Sequence, residues 1–367
     1  MASVRTAVLI LLFSATAMAG DLERAREIKQ LALSSRRAVN HAQTAPKTVN
    51  VDCVKGEKIQ DAVDKNVAPL DILVKGLCVE SVRIEDKDFT LRGTDPLTDG
   101  IQGTTVAGLT VVNVNSAVVQ NLGFVNGVAA GLSIFASGVN MTNCRITGNV
   151  TGIIVRDDTL FIGEGLTISS NSGRGILADG ARFAGCVGCR AENNGGVAGF
   201  STRGAVLTYL DSEIIGTRGI TANNGAYVDI DCLTEGSGNP CSMQATQFAA
   251  QAFGGAQATL FGAGDFTGRV QAADRGGVDL LGARQTALTG ANLVDSFGTL
   301  TADPFDTGES KLSGTTHVTG FGRLMLRGAT TLNGSIQCGS AGDAWLDPTT
   351  IKTPGSTVTG CDHASFP

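Results

Sequence analysis

Leu122-Gly123-Phe124-Val125-Asn126, Cys144-Arg145-Ile146-Thr147-Gly148-Asn149, Leu166-Thr167-Ile168-Ser169-Ser170-Asn171 and Cys189-Arg190-Ala191-Glu192-Asn193-Asn194 are four lines of one repeat. Their first residues stand 22, 22 and 23 positions apart, and Phe124, Ile146, Ile168 and Ala191 follow two residues later. A second row, Asn126, Asn149, Asn171 and Asn194, has intervals of 23, 22 and 23. A third is Gly131-Leu132, Gly152-Ile153, Gly175-Ile176 and Gly219-Ile220, with Gly199-Phe200 as the expected copy in the last, doubled interval. Residues two apart point to one side of a strand, so each apolar pair faces inward together. Their counterparts one turn later lie about 4.8 Å above them, at the spacing of paired strands. Asn at a bend tolerates a left-handed backbone and can bond to its neighbours in a stack. The rows predict an all-β chain: a single-stranded right-handed parallel β-helix.

Working outward, the composition agrees. Forty-nine glycines and only 17% charged residues, without a collagen period, suit many short strands closed by tight turns. Toward the amino terminus, Val49-Asn50-Val51 and Asp71-Ile72-Leu73-Val74 read as strands, and Ile59–Val63 as a small helix that covers the first coil. The one clear longer amphipathic helix spans residues 21–40, with a linker to Lys47. It is expected to cover a core end, or to mediate oligomerisation through residues 20–46. From Phe248 to Asp303 the turns are expected to continue less regularly, and the segment with Cys338, Trp345 and Cys361 to close the far end. The expected organisation is therefore a signal peptide at 1–19, helix and linker at 20–47, and a capped β-helix at 48–367.

Arg5, the apolar run Ala7–Ala15 and the small residues Ala17-Met18-Ala19 carry that leader assignment and predict a secreted or periplasmic protein. No later run is long and apolar enough to be read as a transmembrane segment. Removing Arg5 with the leader leaves 27 of the 28 basic residues against 34 acidic ones, a net charge of −7 in place of −6. That field disfavours nucleic acid and anionic membranes as partners. Nine cysteines suit an oxidising compartment, and Cys53 with Cys78, Cys232 with Cys241 and Cys338 with Cys361 pair naturally by position. Cys186 and Cys189 are spaced to close a small loop, while Cys144 and Cys189 fall in the apolar row with Leu166 and read as core residues.

The stretch from Cys53 through Ile59-Gln60-Asp61-Ala62-Val63 and Gly76-Leu77-Cys78-Val79-Glu80-Ser81-Val82 to Thr90-Leu91-Arg92-Gly93 resembles the opening coils of pectin-lyase-like bacterial β-helix proteins. Pectin methylesterases begin similarly, with Gly-x-Tyr-x-Glu-x-Val where this chain has Gly76 to Val82. The likeness covers about a sixth of the chain and implies the fold. The esterase's chemistry is not carried over. Val150 and Thr151 stand where its Gln and Asp belong, and Arg174-Gly175 where the second Asp should be. Asp303-Pro304-Phe305-Asp306 is similar to the Asp-Pro-His-Asp of alginate epimerases, with Phe305 in place of the histidine. The Gly-His-Gly of polygalacturonases is absent, and His41, His317 and His363 are all read as lying outside the regular coils.

One polar row remains. Ser137, Asp158 with Asp157, Asp179, Arg203 and Asn224 follow successive Gly-Ile strands at intervals of 21, 21, 24 and 21. Stacking is expected to bring the carboxylates of Asp158 and Asp179 within about 5–7 Å, with Arg203 one coil further. Pectate lyases resemble this outline: acidic groups, here Asp157, Asp158 and Asp179, hold Ca²⁺ while an arginine, here Arg203, takes a proton. Against that stand the turn chemistry of Asp179-Gly180 and Asn224-Gly225 and the scatter of Tyr209, Tyr227 and Trp345, since sugar rings stack on such side chains. The leading expectation is a non-catalytic exported scaffold that binds an extracellular polysaccharide or envelope protein without a cofactor. A Ca²⁺-dependent lyase of uronate polymers is the alternative.

Overall fold

The computed structural model describes residues 48–232, 241–262, 265–287, 290–304 and 309–361, all within one compact unit, Lys47–Pro367. The leader, the helix expected at 21–40, His41, His363 and Phe305-Asp306 lie outside the described residues. The described chain is a parallel β-helix of about 13 turns. One coil shows the plan. Gly138–Thr142 forms a first face, Arg145–Thr147 a second and Thr151–Arg156 a third. Each pairs in parallel with its counterpart one coil on: Leu160–Glu164, Thr167–Ser169 and Ile176–Asp179. First-face strands from Thr48–Asp52 to Asp343–Leu346 build one 14-stranded sheet.

The apolar row behaves as expected: Leu122, Cys144, Leu166 and Cys189 are buried, as are Phe124, Ile146, Ile168 and Ala191, the last four in direct register. Two other rows are corrected by one residue. Asn149, Asn171 and Asn194 form a buried ladder, in which Asn149 and Asn171 donate through Nδ2 to the next Oδ1 at 3.1 and 2.9 Å. The position below Asn149 belongs to Gly127, whose amide donates to Asn149 Oδ1 at 2.7 Å, and Asn126 faces solvent. In the third row Gly199, not Phe200, is the partner of Ile176 and Ile220. A Cβ on Gly199 would meet the Tyr209 ring at 2.6 Å, so an aromatic side chain from the first face fills the space an isoleucine takes elsewhere. Tyr209 is fully buried and donates to the Ala198 carbonyl at 3.0 Å.

Above Asn194 the cross-section changes. The second and third faces merge into continuous strands, beginning with Glu213–Ala222 and Ser242–Ala252 and recurring in Lys311–Val318 and Thr331–Cys338. The register places Thr217 above Asn194, so no amide remains to satisfy an open bend. Beyond Phe248 the coils continue with register shifts at Phe248 and Phe266 and a strand split into Arg284–Ala287 and Asn292–Val294, the lesser regularity expected there, and His317 sits inside a coil, paired with Leu293 and Gln337. The place of His317 corrects the sequence reading, which followed a three-row period that stops here.

All three positional cysteine pairs are disulfides, and Cys186–Cys189 is a fourth. Cys189 is thus a core residue but not a free thiol. Cys144 is free, and burial pushes its thiol up to about 12, which makes it inert. The helix Ile59–Lys65 buries Ile59, Ala62 and Val63 over the first coil. Glu80, within the methylesterase-like segment, holds its start: the amides of Ile59 and Gln60 donate to the two carboxylate oxygens at 2.7 and 3.1 Å. Glu80→Ala is expected to lower stability by about 1–2 kcal/mol in thermal melts. An unshifted melting temperature would mean the helix start is held by other contacts. Among the described residues no helix is long and apolar enough to cross a membrane.

Candidate functional site

The polar row is assembled differently from its sequence spacing. Strand pairing sets Asp179 against Arg156, while the amide of Asp158 donates to Gly180 at 3.2 Å. The 21-residue interval was misleading because the true offset between these coils is 23 residues. Asp157 and Asp158 are exposed turn residues with positive φ. Asp179 is held from both sides: Arg203 Nε pairs with Oδ1, and Arg156 Nε lies 3.5 Å from Oδ2. The carboxylate raises the Arg203 guanidinium above its ordinary pKa, first through the side-chain hydrogen bond, and an arginine held protonated is a poor base. Ser137 is spent on the backbone, accepting from Val114 and donating to the Phe135 carbonyl, and Asn224 is a turn residue. Among the described residues, the one set of three metal-ligating side chains with mutually close ligand atoms is Cys53, Cys78 and Glu80, whose two cysteines form a disulfide.

A different feature stands out on the edge between the third and first faces. There the coils turn through two-residue bends with positive φ at both positions: Arg203-Gly204, Asn224-Gly225, Gly254-Gly255, Asp274-Arg275, Ser296-Phe297 and Gly320-Phe321. They stack through backbone bonds, Arg275 N donating to Ser296 O and Phe297 N to Gly320 O, each at 3.1 Å. The second position favours glycine, because a side chain there crowds the following carbonyl. Phe297 and Phe321 occupy it at φ 67° and 62°, a conformation that costs a bulky residue about 1 kcal/mol or more. Their rings stack, centroids 5.1 Å apart and planes within 7°, yet remain 59% and 63% exposed. Neither strain nor exposure serves the core. A flat apolar surface mounted in this way is suited to the face of a sugar ring.

On the first face, Thr208, Asp229, Thr259, Asp279 and Thr301 are register partners in successive coils. Val228 and Ile230 turn into the core, so Asp229 points outward. It is nevertheless only 7% exposed, and its Oδ1 has no hydrogen-bond partner among the described residues. Burial pushes its carboxyl up to about 7, against the pull of the Thr208 hydroxyl and its own amide.

Sequence reasoning missed both features. Phe297-Gly298-Thr299-Leu300 and Phe321-Gly322-Arg323-Leu324 recur 24 residues apart, and that repeat would have found the ring pair. Asp229 offers no such signal, since its burial depends on neighbours from other coils.

No protein-family model matches the chain, and no curated protein matches it. Among solved structures it is similar to a TibC-catalysed hyper-glycosylated TibA55-350 fragment, at 15% identity and TM-score 0.33, over 87% of this chain and 99% of that one. It is also similar to alginate lyase from a Paenibacillus strain, at 12% identity and TM-score 0.30, over 85% and 98%. A third is the catalytic unit of a thermostable GH87 α-1,3-glucanase from Streptomyces thermodiastaticus, at 12% identity and TM-score 0.26, over 89% and 72%. Likeness at this level carries no functional argument, and the fold stands on the strand pairing itself.

Proposed function

We infer that this is an exported, non-catalytic β-helix that binds a polysaccharide outside the cytoplasm. The carrying observation is the stacked, exposed pair Phe297 and Phe321, held on strained turn positions where four preceding coils carry Gly204, Gly225, Gly255 and Arg275. Four disulfides suit an oxidising compartment, in keeping with the leader read from residues 1–19. The engagement of Asp179 by Arg156 and Arg203 favours binding over lyase chemistry, because the arginine that would serve as base is held protonated by that carboxylate.

Affinity electrophoresis through gels containing soluble polysaccharides, acidic and neutral, tests the reading. The wild-type protein is expected to be retarded by at least one gel, and Phe297→Ala with Phe321→Ala to migrate as in a gel without glycan. Retention that survives loss of both rings, in a variant shown to be folded, removes the platform as the binding site.

A further inference from the structure

The third face carries a second pattern that none of the preceding sites uses. Arg218 pairs in register with Val197 below and Phe248 above, and Phe248 pairs with Arg269. Arg174 enters the same row one coil below Val197, two residues before the strand Ile176–Asp179, whose Ile176 pairs with Gly199. Arginines therefore recur at every second coil, about 10 Å apart along the stack. Two of them sit over phenyl rings, the guanidinium carbon of Arg174 4.5 Å from the centroid of Phe200 and that of Arg269 4.1 Å from the centroid of Phe248. Gln247 joins two of them, accepting from Arg218 Nε on its side chain at 3.5 Å and from Arg269 Nε on its backbone carbonyl at 3.3 Å.

The arginines of this row share the lack of an ion pair with Arg145, Arg182, Arg275 and Arg323 among the described residues, and differ from six others. Arg83, Arg92, Arg156, Arg190, Arg203 and Arg284 each pair with an acidic side chain. Arg174, Arg218 and Arg269 have no carboxylate partner among the described residues, in a protein whose net charge is −6. A guanidinium stacked on a ring keeps its in-plane N–H groups free, and that fork fits a carboxylate or sulfate. The row lies at the start of the third-face strands and the stacked phenylalanines on the turns that follow their ends, where Arg275 occupies the turn position directly below Phe297.

We propose that the third face binds a linear acidic polysaccharide through the row Arg174, Arg218 and Arg269, with Phe200 and Phe248 as ring supports and with no metal ion. This rests on the polysaccharide reading and adds the charge of the ligand and how that charge is held. The two-coil spacing of the arginines suits an extended polymer with one anionic group on the same side of each disaccharide. Arginine recognition of this kind weakens with salt and is indifferent to chelators, whereas a Ca²⁺ bridge requires the metal.

The test compares wild type with the triple variant Arg174→Gln, Arg218→Gln, Arg269→Gln on gels containing hyaluronan, polygalacturonate, chondroitin sulfate or neutral dextran. Each is run at low and high salt, with and without EDTA. The wild type is expected to be retarded by the acidic gels, less so in salt and equally with EDTA. The triple variant is expected to lose about tenfold or more in affinity for them at an unchanged melting temperature. Hyaluronan and polygalacturonate report carboxylate recognition, and a response confined to chondroitin sulfate identifies sulfate as the group read. Equal retention of wild type and variant on acidic gels, or release by EDTA, overturns the arginine site and leaves glycan binding standing. A wild type retarded by no gel overturns the polysaccharide reading itself. Equal affinity for duplex DNA at the same salt overturns the glycan assignment in favour of an indiscriminate cationic surface. If the triple variant is destabilised, Arg218→Gln alone serves, since Arg218 is exposed and lies on no ring.

Discussion

Phe297→Gly with Phe321→Gly is expected to weaken polysaccharide retention about tenfold or more while leaving the protein as stable as before, within about 1 kcal/mol. Several terms oppose one another. Glycine relieves a left-handed strain of about 1–2 kcal/mol per residue. It adds unfolded-chain entropy worth about 0.5–1 kcal/mol at each site, and the lost ring pair removes about 0.5–1.5 kcal/mol. Removing a buried phenylalanine such as Phe161 instead costs about 3–5 kcal/mol. Two stacking rings contribute roughly 1 kcal/mol or more apiece to a bound sugar, so their loss weakens binding by about tenfold or more. Calorimetric melts and affinity electrophoresis on the same preparations separate the two effects. A fall of several kcal/mol in stability would show that the rings serve the fold, and would sink the interpretation of their strain as functional.

Asp229 makes the second large effect, and it depends on pH. Its folded pKa, about 7, lies well above the ordinary 3.8, so the folded state favours the protonated carboxyl. The associated stability is fully present below the unfolded pKa and is lost as pH rises through about 7. By linkage the loss between pH 4 and pH 8 approaches about 4 kcal/mol as an upper limit. Asp229→Asn, which is neutral at every pH, is expected to flatten that dependence, with its melting temperature above wild type at pH 8 and close to it at pH 4. Parallel profiles across the two pH values would show that the carboxyl is solvated in solution.

The fold was legible because a stacked coil repeats its interior at one position per turn, and Leu122, Cys144, Leu166 and Cys189 keep that position without a slip. Reading failed where the number of residues in a bend varies. Asn126 stands one residue before Gly127's place and Phe200 one residue after Gly199's, and a one-residue slip at a bend leaves the spacing plausible. The same error matters more at the polar row, where a slip of two residues turned a side-chain ion pair, Arg156 with Asp179, into an apparent pair of carboxylates. His317 and the merged strands were hidden for another reason: a coil without its asparagine bend loses one of the marks that announce it. The arginine row was invisible in sequence because Arg218 and Arg269 are 51 residues apart and only pairing brings them to one face.

The turn edge has a consequence in evolutionary terms. At each of its stacked bends the backbone is already left-handed and the second residue projects away from the core. Arg275, Phe297 and Phe321 show that side chains of quite different character are tolerated there without disturbing the interior row beneath. The edge is thus a ruler of attachment points, one per coil, on which a lineage can exchange ligand preference by single substitutions while every inward position stays under separate constraint. Coils duplicated along such a rod would lengthen the recognised polymer without any new design of the fold.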